Sequence, residues 1–266
     1  MTFDARSIEW TFAAFRWWLE NFGGFAEFAH TSLVTPTPED FPVTDTNQEH
    51  ELAEDYFEFV KEHARAPAWR FALEAVPSLD VGEILKGMPH GLTSQPVETE
   101  PPPEIDDGGD LVIPYDPKQL ADPQGLVATF ARGVSHYLFN SGSEDLPDPH
   151  VNRECYIDIG AVFLGFGVFL ANTAFRSQQL ESGVMIGWSY QRQGALSQAD
   201  VSFALAVFAS LLEFPDRDVL EHLNAGPRDL VKASLRELRR RGLGDLERLR
   251  TIASTRGAGP YRTAPR

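Results

Sequence analysis

Between residues 6 and 22, the apolar positions Ile8, Phe12, Phe15, Leu19 and Phe22 fall at spacings of four, three, four and three. That period predicts an amphipathic helix, and Gly23-Gly24 predicts its stop. Trp10, Trp17 and Trp18 widen the apolar face and read as core rather than as a ligand cage. After the Pro-rich connector TPTPEDFPV (35–43), Thr46 and Glu49 have capping-box spacing. They open a helix to about Ala64 with Leu52, Phe57 and Val60 inward. WRFALEAV (69–76) alternates like a strand, and LVIPYDP (111–117) reads as a second one that leaves at Pro117. The next helix starts at Asp122, with Pro123 in its first turn, and runs to about Asn140. An almost wholly apolar helix follows from about Asn152 to Phe175. GWSYQRQG (187–194) reads as a structural turn in a connector, with a groove lining as the alternative. A further helix covers about 198–212, and two charged ones fill 216–252.

This order of elements predicts a helix-rich α+β chain forming one domain over 1–255. Residues 1–95 make a helical and strand part, 96–110 a Pro-rich acidic loop, 111–255 a mainly helical part, and 256–266 a disordered tail. Composition narrows the function classes. With 23 basic against 39 acidic residues, the net charge of −16 speaks against nucleic acid as a partner and against docking on anionic lipid. The single cysteine, Cys155, rules out an intrachain disulfide and a cysteine-rich zinc module. The N-terminus lacks the basic start and apolar stretch of a secretory signal, so a cytoplasmic setting is expected. The uninterrupted apolar run Ile159–Ala171 is shorter than the roughly 17–25 residues a bilayer demands, and a buried helix is expected there. RELRRRGLGDLERLR (236–250) reads as a salt-bridged solvent face, and ETEPPPEIDDGGD (98–110) as a solvated loop.

Two helices carry the residues of chemical interest. In the 122–140 helix, Leu126, Val127, Phe130, Val134, Tyr137 and Leu138 share one side, while Thr129, Arg132 and His136 lie opposite with Gly125. In the following helix, Glu154, Asp158, Ala161, Gly165 and Asn172 share a narrow face. Two carboxylates four residues apart repel each other and are costly near a core unless a cation meets them. Small Ala161 and Gly165 leave room for another backbone. The economical arrangement is a helix pair in which Glu154 and Asp158 face Arg132 and His136.

The strand LVIPYDP, the helix DPQGLVATFARGVSHYLF and the helix ECYIDIGAVFLGFGVFLAN together resemble the thermolysin-like zinc peptidases, or gluzincins. Those enzymes use H-E-x-x-H on one helix and E-x-x-x-D on the next. More broadly, the chain is similar to a family of uncharacterised bacterial proteins with a peptidase-like second half. That likeness runs over most of 10–235, through FRWWLENFGGF, LVTPTPEDFPV, FLGFGVFLAN, GWSYQRQGALSQAD and VSFALAVFASL. The resemblance implies a zincin-like domain with a small N-terminal sheet and a C-terminal helical part. It puts His136 at the second metal histidine, Glu154 at the third ligand and Asp158 at the acid behind the ligands. Arg132 then stands at the first histidine and Gly133 at the catalytic glutamate, so the motif is degenerate: arginine does not ligate zinc and glycine offers no base.

The reading that follows is a pseudoenzyme with a binding or scaffolding role. It has no metal or other cofactor and no catalytic residue, and its partner is an unidentified protein or peptide. Arg132 would replace the metal's charge by pairing with Glu154 or Asp158, and His136 would complete the cluster. One alternative is a metal-dependent hydrolase with a rearranged zinc site on His136 and Glu154, recruiting His150, Cys155 or a loop acid. Another is a non-enzymatic α+β interaction protein whose helix pair is merely structural.

Overall fold

The computed structural model describes residues 4–37, 49–66, 69–76, 111–174, 176–182, 185–191 and 194–254, with the backbone alone at Glu49, 176–182 and 185–191. The Thr46 capping position, the 96–110 loop and the 256–266 tail lie outside these residues.

Helix α1 (Ala5–Asn21) opens at Asp4, whose carboxylate accepts the Arg6 N–H, and it buries Phe15, Trp17, Trp18 and Leu19. Gly23 and Gly24 both take positive φ, at +88° and +71°, and turn the chain into the short α2 (Gly24–Phe28). Helix α3 (Glu49–His63) follows, then β1 (Phe71–Ala75) and β2 (Leu111–Tyr115), which pair in parallel with Phe71 opposite Leu111. The faces of β1 and β2 that carry Phe71 and Ile113 pack on the helices: Phe71 meets Phe57 of α3, and Ile113 is 1% exposed. Pro117 does end the strand, but the chain enters a 3₁₀ helix, Pro117–Ala121, capped by Asp116 and Gln119, before α4 (Pro123–Ser141) begins.

The long apolar helix expected from the sequence is broken. It comprises α5 (Arg153–Ala161), a wide π-helical turn at Val162–Phe166, and α6 (Gly167–Thr173). Gly165 sits at φ +101°, where a Cβ would lie 2.2 Å from the Ser32 carbonyl oxygen. The break lets the 31–35 segment cross against it, and Val34 N–H donates to Gly165 C=O at 3.1 Å. By length and hydropathy, Arg153–Thr173 is the one described stretch that could span a bilayer, and 89% of its apolar window is buried inside the fold.

GWSYQRQG is not simply a turn. Met185–Gln191 forms β4, paired antiparallel with β3 (Arg176–Ser182). Three charged helices rather than two end the described chain: α8 (Asp216–Leu220), α9 (Ala225–Arg241) and α10 (Gly244–Arg250). They follow α7 (Gln198–Leu211), which is buried along nearly its whole length. The result is a helix-rich α+β architecture with a two-stranded parallel sheet on its N-terminal side. A ring-packed core centres on Phe28 and Phe163, whose rings stack at 4.5 Å.

Candidate functional site

Helix α4 is held to the sheet in two places. Tyr137 Oη donates to the Val112 carbonyl at 2.5 Å, and Gly133 lies so close to β2 that a Cβ there would meet Ile113 Cγ2 at 3.0 Å. Helix α5 starts at Asn152, whose side chain accepts the Glu154 N–H at 3.0 Å. The two helices approach each other through Gly160, where a Cβ would lie 2.1 Å from Ser135 Oγ and 2.1 Å from the Trp18 ring. Ser135 Oγ also donates to the Ile157 carbonyl at 2.7 Å. Gly165 admits another backbone as expected, but the backbone is not that of α4. Gly160 admits α4, whereas Gly165 admits the 31–35 segment.

That packing brings Arg132 between both acids. Its Nε donates to Asp158 Oδ1 at 2.5 Å and its Nη2 to Glu154 Oε2 at 3.2 Å. The second oxygen of Asp158 accepts the backbone N–H groups of Ala195 at 2.7 Å and Leu196 at 2.9 Å. Gly194 makes this possible: at φ +101°, a Cβ there would stand 2.9 Å from Asp158 Oδ2. The two pairs differ in kind. The Asp158 side chain is 2% exposed and meets three donors, so removing its cation should cost about 3–5 kcal/mol. Glu154 is 47% exposed, and its pair is worth about 1 kcal/mol at most.

The hydrogen bond of His136 runs to Asn140 and not to Arg132. The imidazole Nε2 contacts Asn140 Nδ2 at 2.9 Å, and Asn140 Oδ1 accepts from Arg153 Nη2 at 3.4 Å. The Arg153 guanidinium also sits 5.0 Å from the centre of the Phe139 ring. An amide nitrogen only donates, so with this assignment Nε2 is the acceptor and the imidazole is neutral with its proton on Nδ1. Partial burial pushes the His136 pKa below its ordinary 6.5; Glu154 opposes the shift, while Arg153 and Arg132 reinforce it.

The helix pair therefore holds Arg132, Glu154 and Asp158 as a bonded network, with His136 at its edge in the field of Glu154. Gly133 faces the packed sheet, so a longer side chain there would require Ile113 to move. Asn172, expected on the same face as the acids, is bonded elsewhere: to Gln124, to the His222 carbonyl and to the Asn224 N–H. His150 is exposed and Cys155 half-buried. Among the described residues, no group of three or more His, Cys, Asp or Glu side chains could hold a metal ion. The zinc-binding alternative thus finds no donor set there.

The sequence reading missed Asn140, Arg153 and the Ala195–Leu196 amides. Only Gly194, an isolated glycine just before the α7 cap, signalled the last of these. Fold and site together define a helix-rich α+β protein with an arginine-bridged carboxylate pair across two packed helices. Comparison with protein-family profiles, curated proteins and solved structures finds no match.

Proposed function

We propose that this chain is a catalytically degenerate, zinc-peptidase-like protein that binds a protein or peptide partner and carries Arg132 in place of a metal's charge. The observation that carries the reading is the position of the guanidinium. It lies on Glu154 and Asp158, the two acids that the gluzincin resemblance assigns to metal ligation and to its support. A second observation agrees. The position corresponding to the catalytic glutamate is Gly133, and its surroundings are filled by Ile113. The competing reading, a purely structural staple, draws on the Asp158 bonds to the 195–196 amides, which tie a loop to the helix pair.

One substitution separates the two. R132H puts a second imidazole beside His136 and Glu154, restoring a three-ligand set of the type zinc prefers. On the pseudoenzyme reading, purified R132H takes up about one equivalent of zinc and retains it through desalting, while wild type retains none. Without zinc, R132H should be destabilised by about 3 kcal/mol, because Asp158 loses its cation, and zinc should recover much of that loss. R132H/E154Q, lacking one ligand, should bind more weakly. A folded R132H that gains neither metal nor stability from zinc would leave only the structural staple. Tightly held zinc in wild type would overturn the proposal from the other side.

A further inference from the structure

Between α6 and α7 the chain makes one excursion: it leaves at Thr173, forms β3 and β4, and re-enters at Ser197, the cap of α7. The foot of the returning strand is Gly194–Leu196. Its N–H groups lie ahead of the helix, so α7 offers them no carbonyl, and Leu196 is buried away from water. Asp158 Oδ2 accepts the N–H of both Ala195 and Leu196. Leu196 precedes the cap directly and Val201 lies four positions after it, and both are buried. That is the spacing of a hydrophobic staple, which fixes the angle at which a chain enters its helix. One carboxylate oxygen and one staple therefore hold the foot.

The carboxylate depends in turn on Arg132. A side chain 2% exposed tolerates a charge only against a cation, and Arg132 Nε on Asp158 Oδ1 supplies it. Without the guanidinium, the uncompensated charge is relieved by moving the carboxylate toward water, away from the amides. Arg132 Nη2 extends the other way to Glu154, which is 47% exposed. Contacts thus run unbroken from solvent, through Glu154, Arg132 and Asp158, to the Ala195 and Leu196 amides. We infer that Arg132 and Asp158 form a latch that couples the site to the β3–β4 excursion: the foot is clasped while the guanidinium holds Asp158 and released when that charge is withdrawn. The coupling is reciprocal, so loosening the foot also loosens the hold of Arg132 on the carboxylate. It concerns the same site as the zinc-peptidase reading but does not rest on it, since the latch needs only these bonds.

Amide-resolved hydrogen exchange on the full chain, followed by NMR without added metal, tests the latch. In wild type the Ala195 and Leu196 amides should be protected. R132Q should speed their exchange about thirtyfold, for two hydrogen bonds at their usual net worth. R132K keeps the charge but not a fork that reaches both acids, and should speed it only about threefold. G194A acts from the loop side: at φ +101°, its Cβ would stand 2.9 Å from Asp158 Oδ2, and exchange should rise about tenfold or more. R132Q/G194A should exceed the larger single effect by no more than about threefold, because both changes open one clasp; independent contacts would multiply. In every variant the foot should exchange at a rate insensitive to low urea, the mark of a local opening that exposes little surface. Circular dichroism confirms folding, and if R132Q does not fold, R132K and G194A complete the same cycle. Foot exchange unchanged by loss of the arginine overturns the inference, because Asp158 would then clasp the foot unaided. Multiplicative effects in the cycle overturn it too, as does foot exchange that rises with urea in step with interior amides of α7. Zinc uptake by R132H is read separately, so failure of the latch and failure of the peptidase-like reading are told apart.

Discussion

At the scale of single residues, His136 gives the site its pH signature. Because the fold holds its pKa below the ordinary 6.5, the unfolded chain binds the proton more readily than the native one. The sign follows: this contribution to stability is complete above the unfolded value and is lost as pH falls from there through the depressed native value. H136Q keeps an acceptor for Asn140 but cannot titrate. The stability difference between wild type and H136Q, measured by urea melts from about pH 7.5 to pH 5, should therefore move against wild type as the pH drops. A constant difference would mean that His136 protonates equally well in both states. The charges around it were legible in unequal measure. Arg132 facing Glu154 and Asp158 could be read from two acids four residues apart on an apolar helix, because such a pair demands a cation. Asn140 and Arg153 could not, since nothing in their spacing distinguishes a hydrogen-bonding polar residue from one in solvent. The Ala195 and Leu196 amides carry no sequence mark of their own, and only the neighbouring Gly194 points to them.

At the scale of elements, glycines decide where helices meet. Gly165 takes a conformation that costs other residues about 1–3 kcal/mol, and a methyl group there would also collide with the Ser32 carbonyl. G165A should therefore destabilise the protein by about 3 kcal/mol or more, read as a lower urea midpoint with an unchanged slope. G226A, in the first turn of α9, is the matched control: its Cβ would meet only Gln198 Oε1, at 3.7 Å, and it should be neutral or slightly stabilising. Equal effects at the two sites would remove the argument from close approach. The sequence gives no warning of the break between α5 and α6, because a helix that is apolar all round has no amphipathic phase to lose. Amphipathic α1 and α4, whose apolar stripes have a definite phase, were legible to within a residue or two. For β4, aromatic and polar residues alternate too irregularly to separate a strand from a connector, and its pairing with β3 depends on a neighbour that shows no stronger pattern.

At the scale of the whole molecule, helix-rich α+β content was legible from the order of periodic segments, but the parallel pairing of β1 with β2 was not, since strand direction is a property of the connection and not of either strand. Charge distribution belongs to this scale too. Much of the basic complement of α9 and α10 is spent locally, in Arg239–Asp216, Arg240–Glu237, Arg248–Asp245 and Arg250–Glu247, as the interspersed signs suggested. The net −16 is thus an excess of acid elsewhere on the chain, and its self-repulsion works against the compact state. Salt acts on both terms in opposite directions. It screens the repulsion, and it weakens exposed ion pairs worth about 1 kcal/mol or less each; the buried Arg132–Asp158 pair hardly responds. Repulsion among so many unbalanced charges outweighs a few exposed pairs, so the melting temperature should rise by a few degrees as sodium chloride goes from about 10 mM to about 150 mM, where the screening length falls from roughly 30 to 8 Å. The rise should then level off, because screening saturates, whereas a stabilisation by exclusion of salt from the surface keeps growing with concentration. A melting temperature that falls with salt would mean that the exposed pairs of α9 and α10 outweigh the acidic excess, and would make those helices the first part of the fold to probe by mutation.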